Sequence, residues 1–305
     1  MVDTSATFTA VDLSRLPAPS VIEELSYEQI LAGWLADFEA LFGPEDPEAF
    51  DALVESDPAM RVLQVGAYRE FLMRGRVNDA AKAVMPAYAV GADLDNLAAL
   101  MSVTRLIIDA GDPENGVPPT YESDTDLRRR LVLAPEGYSV AGPEGAYIYH
   151  ALSTSGEVLD ASAISPAPGE VLVTVLARSG DGTPSAELLE LVNLHVSDET
   201  RRPLTDAVTV QAATIVPYAI TASITTYAGP DGSIVLAEAI RGAEAYREKQ
   251  HRLGLDVTRS GIFRALHCEG VQNVVLTSPV ADIVIDRESA SWCTAINITH
   301  AGVGE

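Results

Sequence analysis

Basic residues are scarce in this sequence. Twenty Lys and Arg stand against 44 Asp and Glu, leaving a formal net charge of −24. Three basic clusters stand out: Arg128 to Arg130, Arg201 with Arg202, and Arg247 with Lys249. Affinity for phosphate backbones comes from clustered positive charge, so nucleic acid is not an expected partner. The acidic surplus bears on solubility and not on fold. No apolar run reaches membrane-spanning length, and no membrane partner is expected. The N-terminus lacks the basic-then-apolar layout of a signal peptide. Cysteine is nearly absent. Cys268 and Cys293 are too few for a disulfide framework and fit small apolar groups buried in a protein made in a reducing cytosol. A pairing across neighbouring strands is the alternative.

The patterns that announce catalysis are missing too. The five His (His150, His195, His251, His267, His300) show no paired ligand spacing, and the adjacent His267 and Cys268 point different ways at a helix end. There is no Cys-x-x-Cys, His-x-x-x-His or Gly-x-Ser-x-Gly. The Gly-rich pieces at 142–145 and 180–182 lack the Gly-Lys-Ser/Thr ending of a phosphate loop. Residues 109–120 carry Asp and Asn, yet do not satisfy the spacing, central Gly and final Glu of a calcium loop. Asp282 and Asp286 could pair as acid and base, but read more simply as a solvated edge-strand face. The expectation is a protein without catalytic, cofactor or metal residues.

Apolar content and pattern, by contrast, are plentiful. The 305 residues are 47% apolar, enough for two or three domains with sizeable cores. The architecture changes across residues 131–152: the chain before this stretch reads as helices, and the chain after it as short strands alternating with helices. The reading is therefore α+β: an N-terminal helical region followed by two small α+β sandwich domains. Its divisions are an extended arm at 1–20, a helical region at 21–134, and α+β domains at 135–214 and 215–305.

Pro17 and Pro19 make the arm extended and leave Leu13 and Leu16 exposed unless they lie on something. That something is either the protein's own body or a neighbouring subunit. Val21 to Phe42 has strong helical spacing in Leu31, Trp34, Leu35, Phe38 and Leu41. Asp57-Pro58 opens a second helix running to about Val84, with Leu63, Ala67 and Phe71, then Val77, Ala80, Ala81 and Val84, on its apolar side. Asp93 caps a third carrying Leu94, Leu97, Leu100 and Met101. Two long helices and a short one make a thin core, so the stripe is either core or a face for partner helices. Ser123 caps a helix ending at Pro135, and Pro143 opens another at its first position. Strands come next at 157–164 and 171–177, then a helix capped at Ser185 and a strand at 208–214. A second set comprises a strand at 218–227, helices at 233–251 and 261–267, and strands at 271–277 and 291–299. No sequence period links the two sets, so the sequence gives no sign of duplication.

Several pieces, in shared order, resemble the baseplate J-like proteins of contractile phage tails and tail-derived bacteriocins. They are Asp12 to Pro19 with Glu23 and Glu24; Gly91 to Leu97 with Ala98 and Ala99; Arg130 and Leu131 through Ala141, Gly142, Pro143 and Tyr147; Pro168 to Val171; Arg201 to Asp206; and Gly270 and Val271 with Pro279. The resemblance covers nearly the whole chain. The short run Ala228 to Gly232 is a departure that leaves no room for an inserted domain, so the chain resembles a minimal member. The resemblance implies a structural baseplate wedge protein of a phage tail or related injection particle. Such a protein pairs with itself as a dimer within a wedge and with a second wedge protein. Six wedges then form a sixfold ring around central hub and spike proteins. It also implies a place in the virion tail, with assembly in the bacterial host cytoplasm. The residues expected at partner interfaces are Leu13, Leu16, Pro17, Pro19, Leu31, Trp34, Phe38 and Leu41. The alternative is a soluble adaptor or small-ligand-binding α+β protein unrelated to tails.

Overall fold

The computed structural model describes residues 13, 17, 19–42, 57–229 and 231–304. They fall into two compact units, one within Val11–Ser102 and one from Val103 onward.

The smaller unit carries α1 (Tyr27–Glu39), α2 (Pro58–Ala83) and α3 (Gly91–Ala99). Ser26 Oγ accepts from Gln29 N at 3.3 Å, and Asp57 Oδ1 from Ala59 N at 2.8 Å, with Pro58 at the first position. Side-chain acceptors of this kind satisfy the orphan N–H groups of a helix start. Helical spacing places the first start at Val21, yet the helix begins at Tyr27. The cause is Asn78 on α2, which is buried and pairs with both backbone groups of Glu23: its Oδ1 accepts from Glu23 N at 3.0 Å and its Nδ2 donates to Glu23 O at 2.8 Å. Backbone held in this way is unavailable to a helical ladder. The third helix starts two residues before its expected cap. Val90 stands at the cap position without a side-chain bond, and Asp93 sits in the first turn near the positive helix end.

In the larger unit, β1 (Ile107–Asp109) and β2 (Thr120–Tyr121) form a short antiparallel hairpin whose connection is the Asp- and Asn-bearing stretch between them. Asp112 organises its tip, accepting from the backbone N–H of Glu114 and Asn115, and Gly116 takes the left-handed φ of 73°. Then come α4 (Asp124–Leu133), capped by Ser123, and α5 (Glu144–Leu152). Pro143 is the N-cap of α5 and not its first helical residue. The first sheet has order β3 (Val158–Ile164), β4 (Glu170–Ala177), β5 (Ala207–Ala212). β3 and β4 are antiparallel. β4 and β5 are parallel, so α6 (Ala186–Val196) makes the crossover that a parallel pair requires. Ile148, Ala151 and Leu152 of α5 and Val192 and Val196 of α6 bury one sheet face against Val158, Ala161, Val173 and Val175.

The second sheet has order β7 (Val271–Ser278), β6 (Thr214–Tyr227), β8 (Ser289–Gly304). β6 alternates along its length, with Tyr218, Ile220, Ala222 and Ile224 inward. Against them pack Val235, Ala239 and Ala243 of α7 (Gly232–Gln250) and Ile262 and Leu266 of α8 (Arg259–Leu266). Thr258 caps α8, with Oγ1 accepting from Gly261 N at 3.1 Å. β8 is longer than the expected 291–299. The stretch before it is a loop and not an edge strand: Asp282 accepts from Arg259 N at 2.6 Å and Asp286 from Glu288 N at 3.0 Å. The two sheets differ in connectivity. The central strand β4 has its predecessor antiparallel and its successor parallel, whereas the central strand β6 precedes both of its neighbours. Duplication therefore has no support in the topology.

Charged groups tie the two sheets to α4. Asp160 of β3 accepts from Arg129 at 2.5 Å and from Leu253 N at 3.0 Å. Asp126 accepts from Arg178 at 3.0 Å and Arg252 at 3.4 Å. The nearby Asp160 charge pushes the Arg129 guanidinium above its usual range, while burial pulls Arg252 below it. Arg287 pairs with Glu144 and donates to Ala163 O at 3.1 Å. At the same seam Gly182, at φ 98°, lies against His251: a Cβ there would meet Leu176 Cδ1 at 2.5 Å and His251 Nε2 at 2.9 Å. Gly182→Ala combines backbone strain with overpacking and is expected to cost about 2–4 kcal/mol. The urea midpoint of the purified chain checks this; an unchanged midpoint would mean the seam is soft.

Candidate interaction surface

The expected interface residues have varied surroundings. Leu13 and Pro19 are half-buried and Pro17 is exposed; Leu16 lies outside the described residues. Leu31 and Phe38 are half-buried, and the Phe38 ring meets Phe42 edge-on at 5.1 Å. The Trp34 ring lies over Gly66 of α2, where a Cβ would come within 2.7 Å, and its Nε1 donates to Glu70 at 2.5 Å. Bonds from Trp34 and Arg74 hold Glu70 below the usual carboxylate range. Leu41 is 80% exposed. Trp34 thus has an intramolecular partner, and Leu41 faces solvent.

Sequence spacing passed over the larger feature. α1 has no buried residue. α2 buries Leu63, Ala67 and Asn78 on one side. On its other side Val62, Val65, Tyr68, Leu72, Met73 and Val77 are exposed, Val62 to 70% and Met73 to 68%. Val77 and Val84, expected inward, belong to this outer side. A helix 26 residues long is therefore apolar on both faces. Such a helix normally lies between neighbours. Covering five of these side chains would contribute on the order of 5 kcal/mol. A signal was available: Val62, Val65 and Leu72 keep helical spacing out of phase with Leu63, Ala67 and Phe71.

The remaining candidate groups have structural roles. Cys268 and Cys293 are free thiols, and burial pushes both up and away from reactivity. His251 is buried, with Nδ1 2.7 Å from Ser291 O and its ring edge-on to Trp292. His267 contacts Phe263 O, and His300 contacts Thr226. Tyr147 Oη donates to Asp206 at 2.8 Å, Arg202 donates to Asp206 O at 2.8 Å, and a Cβ on Gly142 would meet Asp206 and Pro203. Two of the pieces that carry the family resemblance, 141–147 and 201–206, thus meet in one packed corner. Among the described residues no cluster of three or more His, Cys, Asp or Glu could hold a metal, and no helix is long and apolar enough to cross a membrane.

His150 lies 6.0 Å from His195, ring to ring. Burial first, then the His195 and Arg201 charges, push its pKa down to about 4 from 6.5. The unfolded chain therefore binds the proton more readily, and stability is lost as pH falls from 6.5 toward about 4. His150→Gln is expected to flatten part of that decline relative to the native chain, read as the difference between their pH–stability curves. Parallel curves would refute it.

Two family models match the chain: the baseplate J-like N-terminal domain at residues 55–112, which takes in α2 and α3, and the baseplate J-like central domain at 139–212, which takes in the first sheet. Baseplate protein J of Escherichia phage P2 is 46% identical over 301 residues, covering 97% of this chain and 99% of its own length. The chain belongs to the baseplate J-like family. It is a baseplate structural protein. Among solved structures, a chain of the sixfold-symmetrised cryo-EM baseplate of the anti-feeding prophage matches at 14% identity and a TM-score of 0.41. That match covers 59% of this baseplate J-like chain and 43% of the other.

Proposed function

We propose that the chain is a wedge component of the baseplate. It pairs with itself within a wedge and with a second wedge protein, and six wedges close into a ring around the central hub. In this reading residues 1–20 lie on a neighbour, 21–134 join partner helices, and the two α+β domains, 135–214 and 215–305, make the dimer and ring contacts. The work is mechanical, without catalysis or cofactor, and its place is the virion tail after assembly in the host cytoplasm. Kinship to the P2 protein over 97% of the chain supports the setting. The observation that carries the wedge role is the second apolar face of α2, which has the length and pattern of a helix lodged between others.

The test is the mass of the purified chain by light scattering, alone and after co-expression with each neighbouring tail protein. A fixed-stoichiometry complex with one of them is expected. A monomer that ignores them all would refute the wedge reading.

A further inference from the structure

The outer face of α2 is basic, in a chain of net charge −24. Arg61, Arg69 and Arg76 are exposed and stand eight and seven residues apart, about two turns each time. That spacing keeps them in line with Val62, Val65, Leu72, Met73 and Val77. The face therefore offers a row of large apolar side chains with a guanidinium every second turn and a single carboxylate, Asp79, toward its C-terminal end.

The opposite side of α2 shows what such a helix accepts. There it carries α1 and the turn before it. Residues 23–39 hold Glu23, Glu24, Glu28, Asp37 and Glu39 and no Lys or Arg. Ile30, Leu31, Leu35 and Phe38 are the half-buried side of α1, and Arg74 of α2 takes Glu23, in the turn before α1, at 3.2 Å, besides its pairing within α2 to Glu70 at 2.6 Å. An acidic segment laid on an apolar side of α2, with one arginine of α2 taking one of its carboxylates, is thus a pairing this chain already makes.

We propose that the outer face of α2 docks a second helix of the same chemistry, supplied by another chain: an apolar seam flanked by Asp or Glu and free of Lys and Arg. This rests on the reading of the helical unit as an assembly surface and names the chemistry of its partner. A second copy of α2 does not fit. Parallel pairing would set Arg69 against Arg69, and antiparallel pairing would bring Arg61 near Arg76, like charges that oppose association. The apolar seam supplies affinity, while the arginines select the sign of the partner and make the rate of encounter salt-dependent.

The test uses the full chain and two synthetic helices of about α2's length, with one Leu/Ala seam and either Glu or Lys on the flanks, titrated by fluorescence anisotropy. The Glu helix is expected to bind at least tenfold more tightly than the Lys helix, and less so as salt rises. The R61E/R69E/R76E chain should invert the order, and the R61Q/R69Q/R76Q chain should abolish the preference, both with native circular dichroism. Equal affinity for the two helices, no binding of either, or a preference that survives R61E/R69E/R76E but is lost on Arg74→Glu would overturn the proposal. The two readings fail separately. If the native chain and R61E/R69E/R76E both assemble with a tail neighbour, the partner chemistry is wrong and the wedge role stands. If the native chain assembles with none yet prefers the Glu helix, the wedge role falls and the docking chemistry stands.

Discussion

Replacing Glu122 by Ala is expected to cost about 3–5 kcal/mol of stability, the largest single loss among the charged groups of the larger unit. Glu122 and Arg130 are 3% and 5% exposed at their side chains and form a two-point pair. Glu122 Oε1 also accepts from Leu106 N at 2.9 Å, and Arg130 donates to Thr104 O at 2.5 Å. The pair therefore fastens the start of β1 to α4, and the neighbouring Arg105 adds bonds to Glu122 O at 2.8 Å and Asp124 at 2.7 Å. Removing one member leaves a buried guanidinium with too few acceptors, and a buried charge without its partner is far costlier than the absence of both. The double replacement Glu122→Leu with Arg130→Met is accordingly expected to recover most of the loss. Urea unfolding of the three chains measures both effects. A double variant as unstable as the single one would show that the network does more than satisfy its own charges.

The second expectation concerns assembly and leaves folding alone. Val65→Asp with Leu72→Asp places two carboxylates on the outer face of α2, where the native side chains are 62% and 44% exposed. Exposed substitutions away from packed groups change stability by about 0.5 kcal/mol or less each, so the melting curve should barely move. A carboxylate buried in an apolar helix interface without a partner costs far more. The variant should therefore fold and yet enter no baseplates, scored by electron microscopy of particles made with it as the sole copy. Normal particles would mean that this face stays in solvent throughout assembly. Leu63→Asp is the control, since Leu63 lies on the covered side and its replacement should unfold the helical pair.

The parts of the fold that depend on near neighbours in sequence were legible. Ser123, Ser185 and the Asp57-Pro58 pair begin helices where they stand, because a cap acts on groups two or three residues away. The strands of both sheets match the β-branched alternation of Val171 to Val175 and of β6. Features set by distant residues were not legible. The true start of α1 is set by Asn78, 55 residues from Glu23. The seam of the larger unit joins Arg129 to Asp160 and Asp126 to Arg252 across gaps that no local period records. β1 and β2 are too short and too exposed to show alternation. The outer face of α2 escaped for a different reason. Its Val62, Val65 and Leu72 neighbour the Leu63, Ala67 and Phe71 stripe in sequence, and a reading that looks for one apolar side absorbs both into it. Trp34 was conspicuous by type, but it is tied to Glu70 and Gly66, whereas the plainer valines are the ones left bare.

Solvent reactivity of the outer face in finished particles tests the central claim most directly. Met73 and Tyr68 are 68% and 53% exposed in the chain alone and both react with hydroxyl radicals, so mass spectrometry can compare their oxidation in the free chain and in assembled baseplates. Burial of the face between partner helices predicts that both are protected at least tenfold in the particle. Equal oxidation of Met73 and Tyr68 in the two states would contradict it.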